Sequence, residues 1–91
     1  MKIIRTSSYE KKERKFFSKR PKLKDKYKDV LKLLSSNLSS SKLKLHKINR
    51  NPPVYSVSLT YSYRIILDFI FLENEILLID IGNHDKVYRD S

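Results

Sequence analysis

Residues 63–72 read Tyr63-Arg64-Ile65-Ile66-Leu67-Asp68-Phe69-Ile70-Phe71-Leu72, and the fold turns on this run. β-Branched and aromatic side chains dominate it, and both alternating sets are largely apolar. That is the pattern of a strand covered on both faces, so the run is expected at the centre of a sheet. Leu72-Glu73-Asn74-Glu75 follows as a tight turn, and Ile76 to Ile81 (ILLIDI) returns as the partner strand. With Glu73 and Asn74 as the loop, Leu72 pairs with Glu75. The ladder then sets Arg64 opposite Asn83 and Tyr63 opposite His84.

Upstream, Val54 to Leu59 (VYSVSL) alternates, with Tyr55, Val57 and Leu59 on one side and Ser56 and Ser58 on the other. Asn49-Arg50-Asn51-Pro52-Pro53 forms a turn. Before it, Leu43, Leu45 and Lys47 alternate with Lys44, His46 and Ile48, which predicts another strand. Ser35 to Ser41 (SSNLSSS) has no period and reads as a loop.

Further back the period becomes helical. Thr6, Ser7 and Ser8 are helix-capping types, and Tyr9, Phe16 and Phe17 then recur at i, i+7 and i+8, predicting a helix over about residues 8–19. Pro21 suits the first turn of a second helix, on which Leu23, Tyr27, Val30, Leu31, Leu34 and Leu38 form an apolar stripe. Residues 2–5 fit a short strand. The order β-α-α-β-β-β-β gives an α+β fold: a mostly antiparallel curled sheet with an N-terminal helical hairpin packed on one face, in a single domain spanning 1–91.

Of the 91 residues, 40% are hydrophobic and 33% charged, too apolar for a disordered tail and too polar for a membrane protein. No run of about 20 apolar residues and no signal-peptide core occurs, so a soluble cytoplasmic protein without membrane association is expected. The absence of cysteine excludes disulfides and thiol nucleophiles. The single glycine, Gly82, excludes Gly-rich phosphate loops.

The formal net charge of +10 calls for a polyanionic partner. It is unevenly spread: residues 1–50 hold 17 Lys+Arg and 4 Asp+Glu, a net of +13, whereas residues 51–91 net −3.

The predicted register gathers Arg64, His84 and the aromatic Tyr88 at one end of the sheet. A guanidinium, an imidazole and an aromatic ring can hold a phosphodiester, move a proton and stack a base. Each has a plainer reading. Arg64 fits equally an ion pair with Asp68 or Asp80, His84 a strand-end turn, and Tyr88 a lid over the core. His46, on an edge strand, is a weaker second base, although an imidazole of pKa about 6.5 suits neutral pH. Lys22, Lys26, Lys44, Lys47, Arg50, Lys86 and Arg89 are the candidate cations for binding a polyanion such as RNA. No HxH or HExxH spacing is present, so neither a metal nor another cofactor is expected.

The segments Tyr63-Arg64-Ile65-Ile66 and Ile79-Asp80-Ile81-Gly82-Asn83-His84-Asp85-Lys86-Val87-Tyr88-Arg89 resemble the RelE/ParE superfamily of toxins from bacterial type II toxin–antitoxin systems. Within it the resemblance is to the ribosome-associated mRNA interferase branch with its YafQ-like members, and it covers essentially the whole chain. It implies the RelE-like fold. It also implies roles: Arg64 as the strand arginine that contacts the scissile phosphate, His84 as a proton-transfer residue and Tyr88 as the aromatic that orients the substrate nucleotide. His46 in Leu45-His46-Lys47 looks like the histidine of the family's H-x-L-x-G segment, with Ile48 and Arg50 in place of its Leu and Gly. Ser62 stands where many relatives carry Asp, which leaves more of the proton work to histidine. The implied activity is ribosome-dependent, metal-independent mRNA cleavage through 2′-hydroxyl attack. The implied partners are mRNA, the ribosome and an acidic antitoxin in a hetero-oligomer. A gyrase-inhibiting ParE-like protein and a non-catalytic nucleic-acid-binding module remain as rival readings.

Overall fold

The structure, a computed structural model, describes residues 1–83. The elements are β1 (Lys2–Arg5), α1 (Ser7–Lys19), α2 (Lys24–Ser36), β2 (His46–Ile48), β3 (Val54–Ser58), β4 (Tyr63–Ile70) and β5 (Glu75–Asn83). Short 3-10 turns occupy Pro21–Leu23, Ser41–Leu43 and Phe71–Glu73. This is the expected α+β order. The strands lie as β1-β5-β4-β3-β2, so β4 is the central strand that its doubly apolar sequence predicts. β1 runs parallel to β5, and the other three pairings are antiparallel.

Local chemistry sets the helix ends. Thr6 Oγ1 accepts from the Tyr9 N–H at 3.1 Å and caps α1. At its far end, the Arg20 N–H bonds to Phe17 O, and Pro21, which has no N–H to continue a helix, opens the 3-10 turn into α2. α2 stops at Asn37. Leu38 therefore falls outside the helix that the sequence stripe included. Ser35 and Ser36, read as loop, are helical instead, their hydroxyls donating back to the Lys32 carbonyl.

One core fills the space between helices and sheet. Tyr9, Phe16 and Phe17 of α1 and Tyr27, Val30 and Leu34 of α2 meet Val57, Ile65, Leu67, Ile76, Leu78 and Ile81 of the strands. A smaller cluster, Val54 and Ile66 with Ile48 and Ile79 against them, lies apart from it. In the ladder these residues alternate with the core-facing set, so they mark the sheet face away from the helices.

Two expectations are corrected. The strand predicted from Leu43 begins only at His46, because Leu43 closes a 3-10 turn and Lys44 is left-handed at φ 47°. The β4–β5 register also differs: Arg64 lies opposite Gly82 and Tyr63 opposite Asn83. The hairpin loop is longer than expected, since Ile70 pairs with Glu75 and Phe71–Asn74 make the turn, with Asn74 left-handed at φ 56°. Ile79 is then bulged out, Leu67 pairing with Leu78 and Ile66 with Asp80. Phe71 and Leu72, assigned to the central strand, sit exposed in the turn.

Candidate functional site

The ladder brings three distant residues together on the face away from the helices. His46 on β2 stands opposite Ser56 on β3, and Arg64 on β4 is one register step away, opposite Ser58. Arg64 is 8% exposed and Ser56 fully buried. Arg64 Nε donates to Ser56 Oγ at 2.9 Å, and its Nη2 donates to the Lys44 carbonyl at 3.2 Å. Nη2 also lies 3.2 Å from His46 Nδ1. A guanidinium has five N–H groups. Two of these directions are engaged with either tautomer of His46 and a third when its Nδ1 accepts from Nη2, and the two on Nη1 have no partner among the described residues.

The ion pair with Asp68 or Asp80 is not formed. Asp68 accepts from the Phe69 N–H, and Asp80 accepts from the Ile81 N–H and lies 4.0 Å from Lys12. Among the described residues no carboxylate reaches Arg64. The result is a fixed positive charge held by neutral groups, an arrangement suited to an anion that arrives from outside.

His46 can work in two ways here. Its Nδ1 is 3.2 Å from the Lys44 carbonyl and 3.2 Å from Arg64 Nη2. With the proton on Nδ1, the ring donates to the carbonyl and Nε2 is the basic nitrogen. When Nδ1 accepts from Arg64 instead, Nε2 carries the proton and the ring is a donor. The left-handed backbone at Lys44 matters in both cases, because it belongs to the turn that presents that carbonyl to both side chains.

Ser56 and Gly82 belong to this site although the sequence reading did not select them. Gly82 lies directly opposite Arg64 in the ladder and leaves no side chain beside the guanidinium. The sign of Ser56 in the sequence was its place in the small polar set of VYSVSL, on the same strand face as a buried arginine.

The other candidates are more scattered. Lys44 contributes its carbonyl, its side chain being exposed. Lys47 pairs with Tyr55 and so points to the opposite face from His46. Arg50 is half-buried in the turn before β3, and Lys22 and Lys26 are exposed on the helical hairpin. His84, Tyr88, Lys86 and Arg89 lie outside the described residues, so the predicted cluster of Arg64 with His84 and Tyr88 is not described.

Among solved structures the chain is similar to YafQ from E. coli, with a TM-score of 0.76 and 17% identity over 94% of this chain and 96% of that one. It is similar to a copper-bound mutant toxin from Helicobacter pylori, with a TM-score of 0.77 and 14% identity over 96% and 98% of the two chains. The YoeB–YefM complex from Staphylococcus aureus matches with a TM-score of 0.70 and 20% identity over 92% and 97%. No family model and no curated protein matches the sequence. The likeness is one of fold.

Proposed function

The chain has the RelE-like toxin fold, and from that premise we propose that it is the toxin of a type II toxin–antitoxin system that cleaves mRNA on the ribosome. One observation carries the reading: the guanidinium of Arg64 is fixed by Ser56 and the Lys44 carbonyl with no carboxylate among the described residues to neutralise it, and His46 lies against it. A preorganised cation beside a base is what cleavage by 2′-hydroxyl attack needs.

In this mechanism a base takes the proton of the ribose 2′-hydroxyl, and the resulting oxygen attacks the adjacent phosphorus. The P–O bond to the 5′ oxygen breaks, and an acid protonates that leaving oxygen. The Nη1 N–H groups of Arg64 receive the negative charge that grows on the phosphoryl oxygens. His46, with its Nδ1 proton on the Lys44 carbonyl, offers Nε2 as the base. The family resemblance carries over His84 as a proton-transfer residue and Tyr88 as the stacking ring, and with His46 as base the acid role falls to His84. Side chains thus supply acid, base and charge stabilisation. The exposed lysines Lys22, Lys26, Lys44 and Lys47 fit the phosphates of ribosomal RNA and an acidic antitoxin, and the YoeB–YefM structure is a toxin–antitoxin complex. Such a protein acts in the cytoplasm, where ribosomes are. No helix among the described residues is long and apolar enough to cross a membrane.

The test is controlled expression in bacteria with mapping of mRNA 5′ ends. Wild type should arrest translation and create new ends. Arg64→Lys and His46→Gln should each reduce those ends by about 100-fold or more, the usual worth of an oriented acid, base or oxyanion donor. Growth arrest with an SOS response and intact mRNA would overturn the reading in favour of gyrase inhibition.

A further inference from the structure

A second cationic feature lies away from the Arg64 site. Among the described residues β1 pairs with Glu75–Leu78 of β5 alone, and α1 packs on β5, with Lys12 against Ile79 and Asp80. Between them is an open cleft of about 400 Å³. Lys12, Lys15 and Lys19 line it at i, i+3 and i+7, one face of α1, and Arg20 closes the row. The acidic residue in its lining is Asp80, already 4.0 Å from Lys12, whose Nζ also donates to the Ile79 carbonyl at the bulge.

Arg20 is held in place. Its guanidinium carbon lies 4.7 Å from the centre of the Phe16 ring and 4.8 Å from that of Tyr63, while Nη1 donates to the Phe16 carbonyl. Stacking of this kind fixes the fork and lowers the entropy lost when it meets an anion. From Lys12 to Arg20 the helix rises about 12 Å.

The geometry points to a track for the sugar–phosphate backbone of single-stranded RNA along α1 and the end of β5. Two features favour RNA over an acidic peptide. Among the described residues the apolar lining of the cleft, Phe16 and Ile81, is buried beneath it and offers a peptide no seat for the apolar anchors on which protein recognition depends, whereas phosphates need only fixed cations. The cleft also ends at Gly82, which faces Arg64 across the ladder and has no side chain to separate the two. Among the described residues this side of β5 is unpaired beyond Leu78, so a strand lying in the cleft can round the open edge at Gly82 to the sheet face that carries Arg64. The track rests on the proposed function only for the identity of the polyanion; its grip on RNA does not depend on cleavage.

The test measures binding of a short fluorescein-labelled 2′-O-methyl oligouridine by fluorescence anisotropy from about 0.05 to about 0.3 M salt. This probe lacks the attacking hydroxyl, so binding is read without chemistry. Lys12→Gln/Lys15→Gln/Lys19→Gln is compared with Lys24→Gln/Lys28→Gln/Lys32→Gln, which removes the same charge from α2. Each lost phosphate contact on a single strand lowers the salt slope by about 0.7, so the α1 variant should lose about 2 units of slope and at least about 10-fold in affinity near 0.1 M salt. The α2 variant should stay within about 3-fold of wild type. Because Lys12 also ties α1 to β5, Lys15→Gln/Lys19→Gln serves as the version that leaves this tie intact, with a smaller loss in the same direction. Equal losses in the α1 and α2 variants, or wild-type binding by the α1 variants, would overturn the track. So would loss of polyglutamate binding with oligouridine binding retained, which would assign the cleft to an acidic protein. A track that survives these tests in a protein that leaves mRNA intact in cells would refute the cleavage reading alone.

Discussion

Arg64 is only 8% exposed, so each N–H it buries needs an acceptor. The hydrogen bond from Nε to Ser56 is therefore structural and functional at once. Ser56→Ala should destabilise the fold by about 1–3 kcal/mol through the orphaned donor, and each kcal/mol lowers Tm by about 4–8 °C in a domain of this size. It should also lower cleavage while Ser58→Ala, one pleat away, does neither; differential scanning calorimetry and end mapping read the two effects. Lys44 makes an opposite prediction. A lysine at φ 47° bears a left-handed cost of about 1–2 kcal/mol that glycine avoids, partly offset by the greater freedom of glycine when unfolded. Lys44→Gly should thus raise stability by about 0.5–1 kcal/mol in urea titration. Asn74→Gly should gain less, since asparagine tolerates this conformation; a loss at Lys44 would contradict the account. Arg64 and His46 could be picked from the sequence because their chemistry is distinctive. Their partnership could not, since it passes through Ser56 and the Lys44 carbonyl and needs the β2–β3–β4 register.

Between elements, a polar chain crosses the otherwise apolar core. Tyr27 donates to Glu13 Oε2, so the Tyr9 hydroxyl, 2.7 Å from that of Tyr27, must donate to it. Arg5 Nε closes the chain on the same Glu13 oxygen at 3.1 Å. One strand and both helices are thereby joined. Burial pushes both phenols above their ordinary range, and the hydrogen bond to Glu13 pushes Tyr27 further the same way. A raised pKa means that the folded state favours the neutral phenol. The stability this provides is complete below about pH 10, the pKa of an unfolded tyrosine, and is lost as pH rises above it. The urea midpoint should therefore fall above about pH 10 in wild type and fall less steeply in Tyr27→Phe. That variant should also cost about 1–3 kcal/mol at neutral pH, because the Tyr9 hydroxyl loses its acceptor. A wild-type midpoint that stays level across the alkaline range would contradict this picture. Periodicity made the elements legible: the stripes of α1 and α2 and the doubly apolar β4 each state their own burial. It could not reveal this network, because both tyrosines sit on apolar stripes and nothing in a stripe says which hydroxyls meet. Nor could it reveal the β4–β5 register. Ile79 is as apolar as its neighbours, so the bulge leaves no trace in the pattern, and the left-handed Asn74 lengthens a turn that the apolar Phe71 and Leu72 disguise as strand.

For the whole molecule, a net charge of +10 is packed into a radius of gyration of 12.3 Å. The Debye length is about 30 Å at 0.01 M salt and about 10 Å at 0.1 M. In dilute buffer every lysine thus feels nearly every other, and near 0.1 M only its neighbours. Little attraction offsets this, since among the described residues the carboxylate ion pairs are Arg5–Glu13 and Lys12–Asp80, both partly exposed and each worth at most about 1 kcal/mol. Self-repulsion should therefore dominate the salt response, and the Tm should rise steadily from about 0.01 to about 0.3 M sodium chloride. The sign separates two views of the fold: were attraction within ion pairs to outweigh the repulsion, added salt would screen that attraction and the Tm would fall. A polyanion should go further than salt at equal ionic strength, because it binds the folded state and stabilises it by mass action. If the cleft between α1 and β5 is where it binds, oligouridine should raise the Tm of wild type. Lys15→Gln/Lys19→Gln, with two fewer charges, should respond only slightly less to sodium chloride but much less to the oligonucleotide, which separates a local site from the diffuse charge of the chain.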